Sequence, residues 1–172
     1  MDAVAERAGT SKATIYRWWP TKELLALEAL YRSLSDADTQ QADTDTQQAD
    51  TGSLRGDLEA LLLPWAQRVR ARPYGRVIAA FVTEAQNDPA FEEQYRANFV
   101  EPRRQSGRGA FSRAVARGEI PPDLDVEVAL DLLYGPIYHR LLHRHAPLSD
   151  RFVGQVIDAV LRGLARPAPS PS

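Results

Sequence analysis

The residues of this chain best suited to chemistry crowd into one short segment, Thr10 to Lys22 (TSKATIYRWWPTK). It carries Lys12, Arg17 and Lys22 and no acid, and Lys12 and Lys22 are the only lysines in the protein. Hydroxyls at Thr10, Ser11 and Thr14 and aromatics at Tyr16, Trp18 and Trp19 lie between the charges. Cations interleaved with short hydrogen-bonding side chains are what a helix needs to lie against phosphates and base edges. Ser11, Lys12, Thr14 and Arg17 fall on or near the outward, N-terminal part of one helix, and Tyr16 can offer its hydroxyl to a phosphate. Lys22 opens the next helix, where the positive end of the dipole also favours an anion. From chemistry alone the same segment also reads as a solvated basic hairpin, with Trp18 and Trp19 as core.

Other chemistries are poorly supplied. His139 and His143 are four apart on one helical face, but no carboxylate is spaced to complete a metal site, so they read as packing or dimer-surface residues. The sequence holds no paired-carboxylate motif, no nucleophile elbow and no phosphate-cradling glycine loop, so an enzyme, a metal and a cofactor are not expected. The rival class is a metal-dependent helical enzyme using the histidines. A net charge of −2 excludes a general nucleic-acid coat, leaving any basic surface local. Cysteine is absent, which fits a reducing cytoplasm. The start, MDAVAERAG, is no signal peptide, and no apolar run is long enough to span a bilayer, so no membrane partner is expected.

The elements that must position the basic segment are helical, and no strand alternation is evident. Asp2 to Ala8 and Ser11 to Trp19 are two short helices joined through Gly9, the pattern of a helix-turn-helix. Val4, Ala5, Ala8 and Ile15 supply its small contacts, and a third helix follows from Thr21 to Ser35. Residues 36–52 form a polar linker in which DTQQADT occurs twice in succession. A helical body follows over 53–165: helices from Leu54 to before Pro73, Tyr74–Gln86, one capped at Asp88 and interrupted at Pro102, Val126–His145 with a bend at Gly135-Pro136, and Ser149–Ala165. Residues 166–172 are expected to be a disordered tail.

Two functions suit this body. Trp65, Phe81, Tyr95, Phe99 and Phe111 are candidates to line a largely apolar pocket, although each also reads as ordinary core. On the last helix Val153, Ile157, Val160, Leu161 and Leu164 belong to an apolar arc of about 180°, wider than the stripe of a little over 100° that one core requires. With Leu132, His139 and His143 they are candidates for a dimer interface; a well-buried terminal helix of a monomer is the alternative.

VAERAGTSKATIYRWWPTKELL resembles the second half of the DNA-binding head of TetR-family (tetracycline-repressor-like) transcriptional regulators. GSLRGDLEALL, NDPAF, EPRRQ, RAVARGEIPPDLD and DLLYGPIYHRLL resemble phrases of the family's ligand-binding domains. The resemblance implies an all-α homodimer: helix-turn-helix heads on the half-sites of a near-palindromic operator, and bodies whose small-molecule effector shifts the heads. It implies DNA contact for Thr10, Ser11, Lys12, Thr14, Tyr16, Arg17 and Lys22, a frequent contact position for Trp18, and a buried one for Trp19. A four-helix interface from two C-terminal helices of each subunit is implied as well. The family's head has one more helix before the point where this sequence begins. Two readings follow, an ordinary repressor whose head is completed upstream, or a dimeric ligand-binding body with a non-functional head.

Overall fold

The computed structural model describes residues 1–29, 50–71 and 74–164. Among them every regular element is helical: α1 (Asp2–Arg7), α2 (Lys12–Trp18), α3 (helical over 22–29), α4 (Leu54–Arg70), α5 (Tyr74–Ala85), α6 (Pro89–Tyr95), a π-helical turn (Arg96–Val100), α7 (Glu101–Ala116), α8 (Val126–His143) and α9 (Asp150–Leu164). None of the described helices is long and apolar enough to cross a membrane. The expected continuation of α3 to Ser35, the duplicated DTQQADT and the tail lie outside the described residues. Two compact units result: Ala80–Val100 with the described part of Met1–Asp43, and the described residues of Thr44–Ala79 and Glu101–Ser172.

Helix ends follow local chemistry. Asp88 accepts from the backbone of Ala90 and Phe91 ahead of Pro89, and Asp125 does the same for Glu127 and Val128. Each carboxylate satisfies donors that the first turn leaves unpaired. The π-turn sits just before Pro102, which has no N–H to give the preceding turn, so the ladder changes register there. The interruption expected at Pro102 therefore takes the form of a wider turn immediately upstream. In α8, by contrast, Pro136 lies inside one continuous helix.

In the second unit α4 packs on α7, α8 and α9. Leu58 and Leu62 of α4, Leu130 and Ile137 of α8, and Val153 and Ile157 of α9 lose all contact with solvent. Each such side chain contributes about 1.5–3 kcal/mol of transfer free energy. Gly107 lets α7 and α8 approach, for a Cβ there would lie 2.4 Å from the Leu130 Cδ2.

Polar clusters hold the helix ends together. Asp57 is buried on α4 and accepts from the Thr51 N–H (2.7 Å), the Thr51 hydroxyl (2.8 Å), Arg113 (3.3 Å) and Arg117 (3.3 Å). Burial raises its pKa, but the Thr51 bonds, the Arg117 bond and the Arg113 charge outweigh it and leave the carboxyl below its usual range. Arg117 also reaches Asp50 (2.9 Å), and Glu119 accepts from the Leu54 N–H (2.7 Å). Asp50 and Thr51, the end of the expected linker, are thus fastened to the start of α4.

A second cluster joins α7 to α8. Glu127 accepts from Arg108 Nε (2.5 Å) and from Arg104, which also holds Asp131 (2.6 Å). Bonds from Arg108 and then Arg104 bring the Glu127 pKa down to about 2. A depressed carboxylate stabilises the fold fully above its ordinary pKa of 4.5 and loses that contribution as pH falls toward 2. The gap in Tm between wild type and Glu127→Gln should accordingly be constant above pH 5 and close by about pH 2. Thermal melts from pH 6 to 2 check this; a gap that persists at pH 2 would show that the pair does not account for it.

Candidate nucleic-acid interface

The turn between α1 and α2 is built by three backbone features. Gly9 adopts φ +62°, a left-handed conformation that glycine enters without steric cost. The Thr10 N–H then donates to the Ala5 carbonyl (3.0 Å) and the Gly9 N–H to that of Glu6 (3.1 Å). This pair of bonds closes a helix C-terminus in the Schellman manner and turns the chain at once into α2. Ser11 caps α2, its hydroxyl accepting from the Thr14 N–H (3.1 Å) and lying 2.9 Å from the Thr14 hydroxyl.

The head's core is small. Ala5, Ile15 and Leu27 are buried, while Val4 keeps 46% of its surface exposed and Ala8 is also exposed, so of the four expected inter-helix contacts only Ala5 and Ile15 are inside. Trp19 is half-buried and its indole N–H donates to Glu28 Oε2 at 2.5 Å, fastening the end of α2 to α3. Thr21 caps α3 through the Leu24 N–H (3.2 Å). Spacing alone could not have singled out Glu28; only the need of a shielded indole N–H for an acceptor points that way. Trp19→Phe removes this charge-assisted bond and should lower head stability by about 1–2 kcal/mol, less than a fully buried bond would contribute. Hydrogen exchange of α2 amides checks this; unchanged protection would show the bond to be dispensable.

Every expected DNA-facing residue is exposed: Thr10, Ser11, Lys12, Thr14, Tyr16, Arg17, Trp18 and Lys22. Trp18, at 71% exposure, is the most open of the large apolar side chains. Ser11 and Thr14 are engaged with each other, so their hydroxyls shape the helix start as well as its surface. Lys12 pairs with Asp2, which lowers the Asp2 pKa through their hydrogen bond, and Lys22 lies 3.5 Å from Glu23. Arg17 has no carboxylate partner among the described residues. On α2 the Arg17 guanidinium and the Trp18 indole fall within about 100° of each other together with Thr14, while the Tyr16 phenol lies with Lys12 on another side. Lys12 and Lys22 are held only by surface pairs. Such pairs are worth little and exchange readily for phosphate.

The remaining candidates fall into separate groups. Phe81, Tyr95 and Phe99 form one aromatic cluster of the first unit with Phe91, which the sequence reading left out; Phe81 and Phe91 centroids are 5.4 Å apart and those of Tyr95 and Phe99 5.6 Å. Trp65 belongs to another, in the second unit, with Tyr134 and Tyr138 (5.4 Å each) and Arg103 over its ring. Phe111 is fully buried on α7. Burial drives the Tyr134 phenol up to about 12, and its hydroxyl donates to the Arg103 carbonyl (3.3 Å). The Trp65 indole N–H is buried and has no acceptor among the described residues.

Of the interface candidates, Leu132, His139 and His143 are exposed on α8, and Leu161 and Leu164 are partly covered. Val153 and Ile157 are fully covered and Val160 nearly so within the protomer, so these three present almost nothing to a second copy. The wide stripe of the last helix is largely spent between neighbours of its own subunit. His139 lies 4.5 Å from His143 and 4.8 Å from His145 between ring centroids, and no group of three or more metal-ligating side chains is assembled among the described residues.

Known proteins share the sequence pattern and the fold. Residues 1–29 match the model for bacterial regulatory proteins of the tetR family, and residues 48–160 match that for the tetracyclin repressor-like C-terminal domain. The DNA-binding transcriptional repressor TetR of Mycobacteroides abscessus is 34% identical over 170 residues, covering 97% of this chain and 83% of that protein. The HTH-type transcriptional regulator YdeS of Bacillus subtilis (strain 168) is 31% identical over 168 residues, covering 95% of this chain and 78% of its own length. The crystal structure of the TetR family transcription regulator SCO0332 superposes with a TM-score of 0.77 at 34% identity, covering 96% of this chain and 86% of that one. A two-part family match, relatives at this identity and a shared all-α fold lead to one conclusion: the chain belongs to the tetR family of bacterial regulatory proteins and is a helix-turn-helix transcriptional regulator.

Proposed function

We propose that this regulator is a repressor that binds a near-palindromic operator as a homodimer and is released by a small molecule. The observation that carries the reading is the open surface of α2, where Tyr16, Arg17 and Trp18 stand exposed with Lys12, and Lys22 follows at the start of α3. In this reading Lys12, Tyr16 and Lys22 hold the phosphate backbone, while Thr14, Arg17 and Trp18 reach toward base edges. Thr10 and Ser11 set the entry of the helix and add backbone contacts.

The dimer face we assign is that of α8. Val128, Leu132, Gly135, His139 and Leu142 all fall within about 80° on its helical wheel, and Val128, Leu132 and Leu142 are 52%, 54% and 41% exposed. An open apolar strip of this kind on a folded protomer marks an interaction surface. On α9 the exposed Ala159 and Gly163 are small enough to let a second helix approach closely. The effector is assigned to the body, near Trp65. A buried indole N–H without an acceptor is costly, and an effector bearing a carbonyl or ether oxygen would satisfy it.

Binding to a panel of operator variants tests the DNA assignment. Lys12→Ala should weaken binding to every sequence and reduce the salt slope by about 1 for each head. Arg17→Ala should cost about 1–3 kcal/mol and relax preference at one position in each half-site. An equal loss on all DNAs for Arg17→Ala would make it a phosphate contact instead.

A further inference from the structure

The second unit holds a solvent-open cleft of about 440 Å³ where the end of α4 and the start of α5 meet the end of α8 and the loop that follows it. Four guanidinium-bearing residues line it, Arg70, Arg76, Arg140 and Arg144, with His145 beside them and no carboxylate in the lining. Val69, Leu141, Ala146, Pro147 and Leu148 form its apolar walls. It is separate from the surroundings of Trp65, and none of the aromatic pocket candidates lines it.

Two of the arginines are held in place. Arg70 donates to Asp150 (2.7 Å), and Arg140 donates to the Pro147 carbonyl while lying 3.4 Å from the centre of the Phe152 ring. The other two, Arg76 and Arg144, are exposed and have no carboxylate partner among the described residues. Arg144 has φ +53°, the one positive φ among described residues other than glycine. This left-handed residue caps the end of α8, its N–H donating to the Arg140 carbonyl, and so fixes the point from which the Arg144 side chain leaves the helix. Gly75 forms part of the lining and packs so closely on α4 that a Cβ would fall 1.9 Å from the Val69 carbonyl oxygen. The cleft thus depends on a glycine at that position.

With Arg70 balanced by Asp150, three guanidinium groups remain without a carboxylate among the described residues, and such groups repel one another and match planar oxyanions in charge and geometry. We propose that this cleft binds a small molecule bearing an oxyanion, a carboxylate or a phosphate, with Arg76 and Arg144 as the principal donors and the fixed Arg140 as orienting charge. It is a second ligand site on the body, beyond any effector held near Trp65.

Isothermal titration of the full chain with inorganic phosphate and with hexanoate, ionic strength being held constant with chloride, tests this. Saturable binding of at least one probe is expected, and which probe binds separates a phosphate ligand from a carboxylate one. Arg76→Gln with Arg144→Gln should weaken that binding by about tenfold or more, the scale of a lost charge-assisted bond. Arg151→Gln, which removes an exposed charge of α9 outside the cleft, should leave it unchanged. Either single change serves if circular dichroism shows the double variant unfolded. No saturable binding of either probe, or equal binding by the double variant, overturns the proposal. It is equally overturned if neither probe binds and the double variant loses DNA affinity, which would make the cleft a DNA-backbone contact.

Discussion

Asp57→Ala should destabilise the body by about 3–5 kcal/mol, the range found when one partner of a buried charge pair is removed. The carboxylate is shielded from solvent and gathers two bonds from Thr51, with Arg113 and Arg117 closing the other side. Deleting it strands the Thr51 N–H and removes the acceptor shared by Arg113 and Arg117, whose side chains are about a quarter exposed, while Arg117 keeps Asp50 and Glu119. It also loosens the junction where Asp50 and Thr51 meet the end of α7. In a chain of this size the drop in Tm should exceed about 6 °C. Asp57→Asn keeps the acceptor for Thr51 and loses the charge, so it should fall between wild type and alanine. Because its pKa is depressed, the contribution of Asp57 is fully present above its ordinary value of 3.8 and declines as the pH falls below it. Urea unfolding at pH 7 checks the magnitude; a loss under about 1 kcal/mol would mean the cluster behaves as a surface network.

On the proposed α8 dimer face, Leu132→Glu should separate the subunits and lower operator affinity by about 10²–10⁴, the advantage two linked heads hold over one. Leu132 lies in the middle of the exposed apolar face of α8, with Val128 a turn before it and His139 and Leu142 beyond. In the proposed dimer, opposite its symmetry mate, a carboxylate there would be buried against apolar surface and against a second like charge. The fold of the protomer should survive, since Leu132 contributes little to its core. Analytical ultracentrifugation reads the first effect and operator titration the second. A variant that remains a dimer would move the interface elsewhere.

The parts of this molecule written in local chemistry were legible without coordinates. The α1–Gly9–α2 turn and the caps at Asp88 and Asp125 each rest on residues adjacent in sequence, where cap and turn rules act. The exposed surface of α2 followed from the same locality. What stayed hidden depends on contacts between distant residues. Helical periodicity showed that Val153 and Ile157 are apolar on a wide stripe, but not that neighbours within the subunit cover them. Apolar type alone likewise could not separate Trp65, whose buried N–H has no acceptor among the described residues, from Phe111, which is fully buried and carries no polar group. The arginine cleft draws on α4, α5, α8 and a loop, up to 79 positions apart, and no spacing rule joins them.

The central claim is that the open surface of α2 carries DNA binding. Fluorescence-anisotropy titration against the DNA upstream of the protein's own gene, at about 50 and 200 mM salt, tests it most directly. With Lys12, Tyr16 and Lys22 of two heads supplying about six phosphate contacts, affinity should fall by about 10³ between the two salts. The combined Lys12→Ala and Arg17→Ala variant should bind more weakly and with a shallower slope. Tight binding that ignores salt, or an unchanged slope in that variant, would contradict the assignment of this surface.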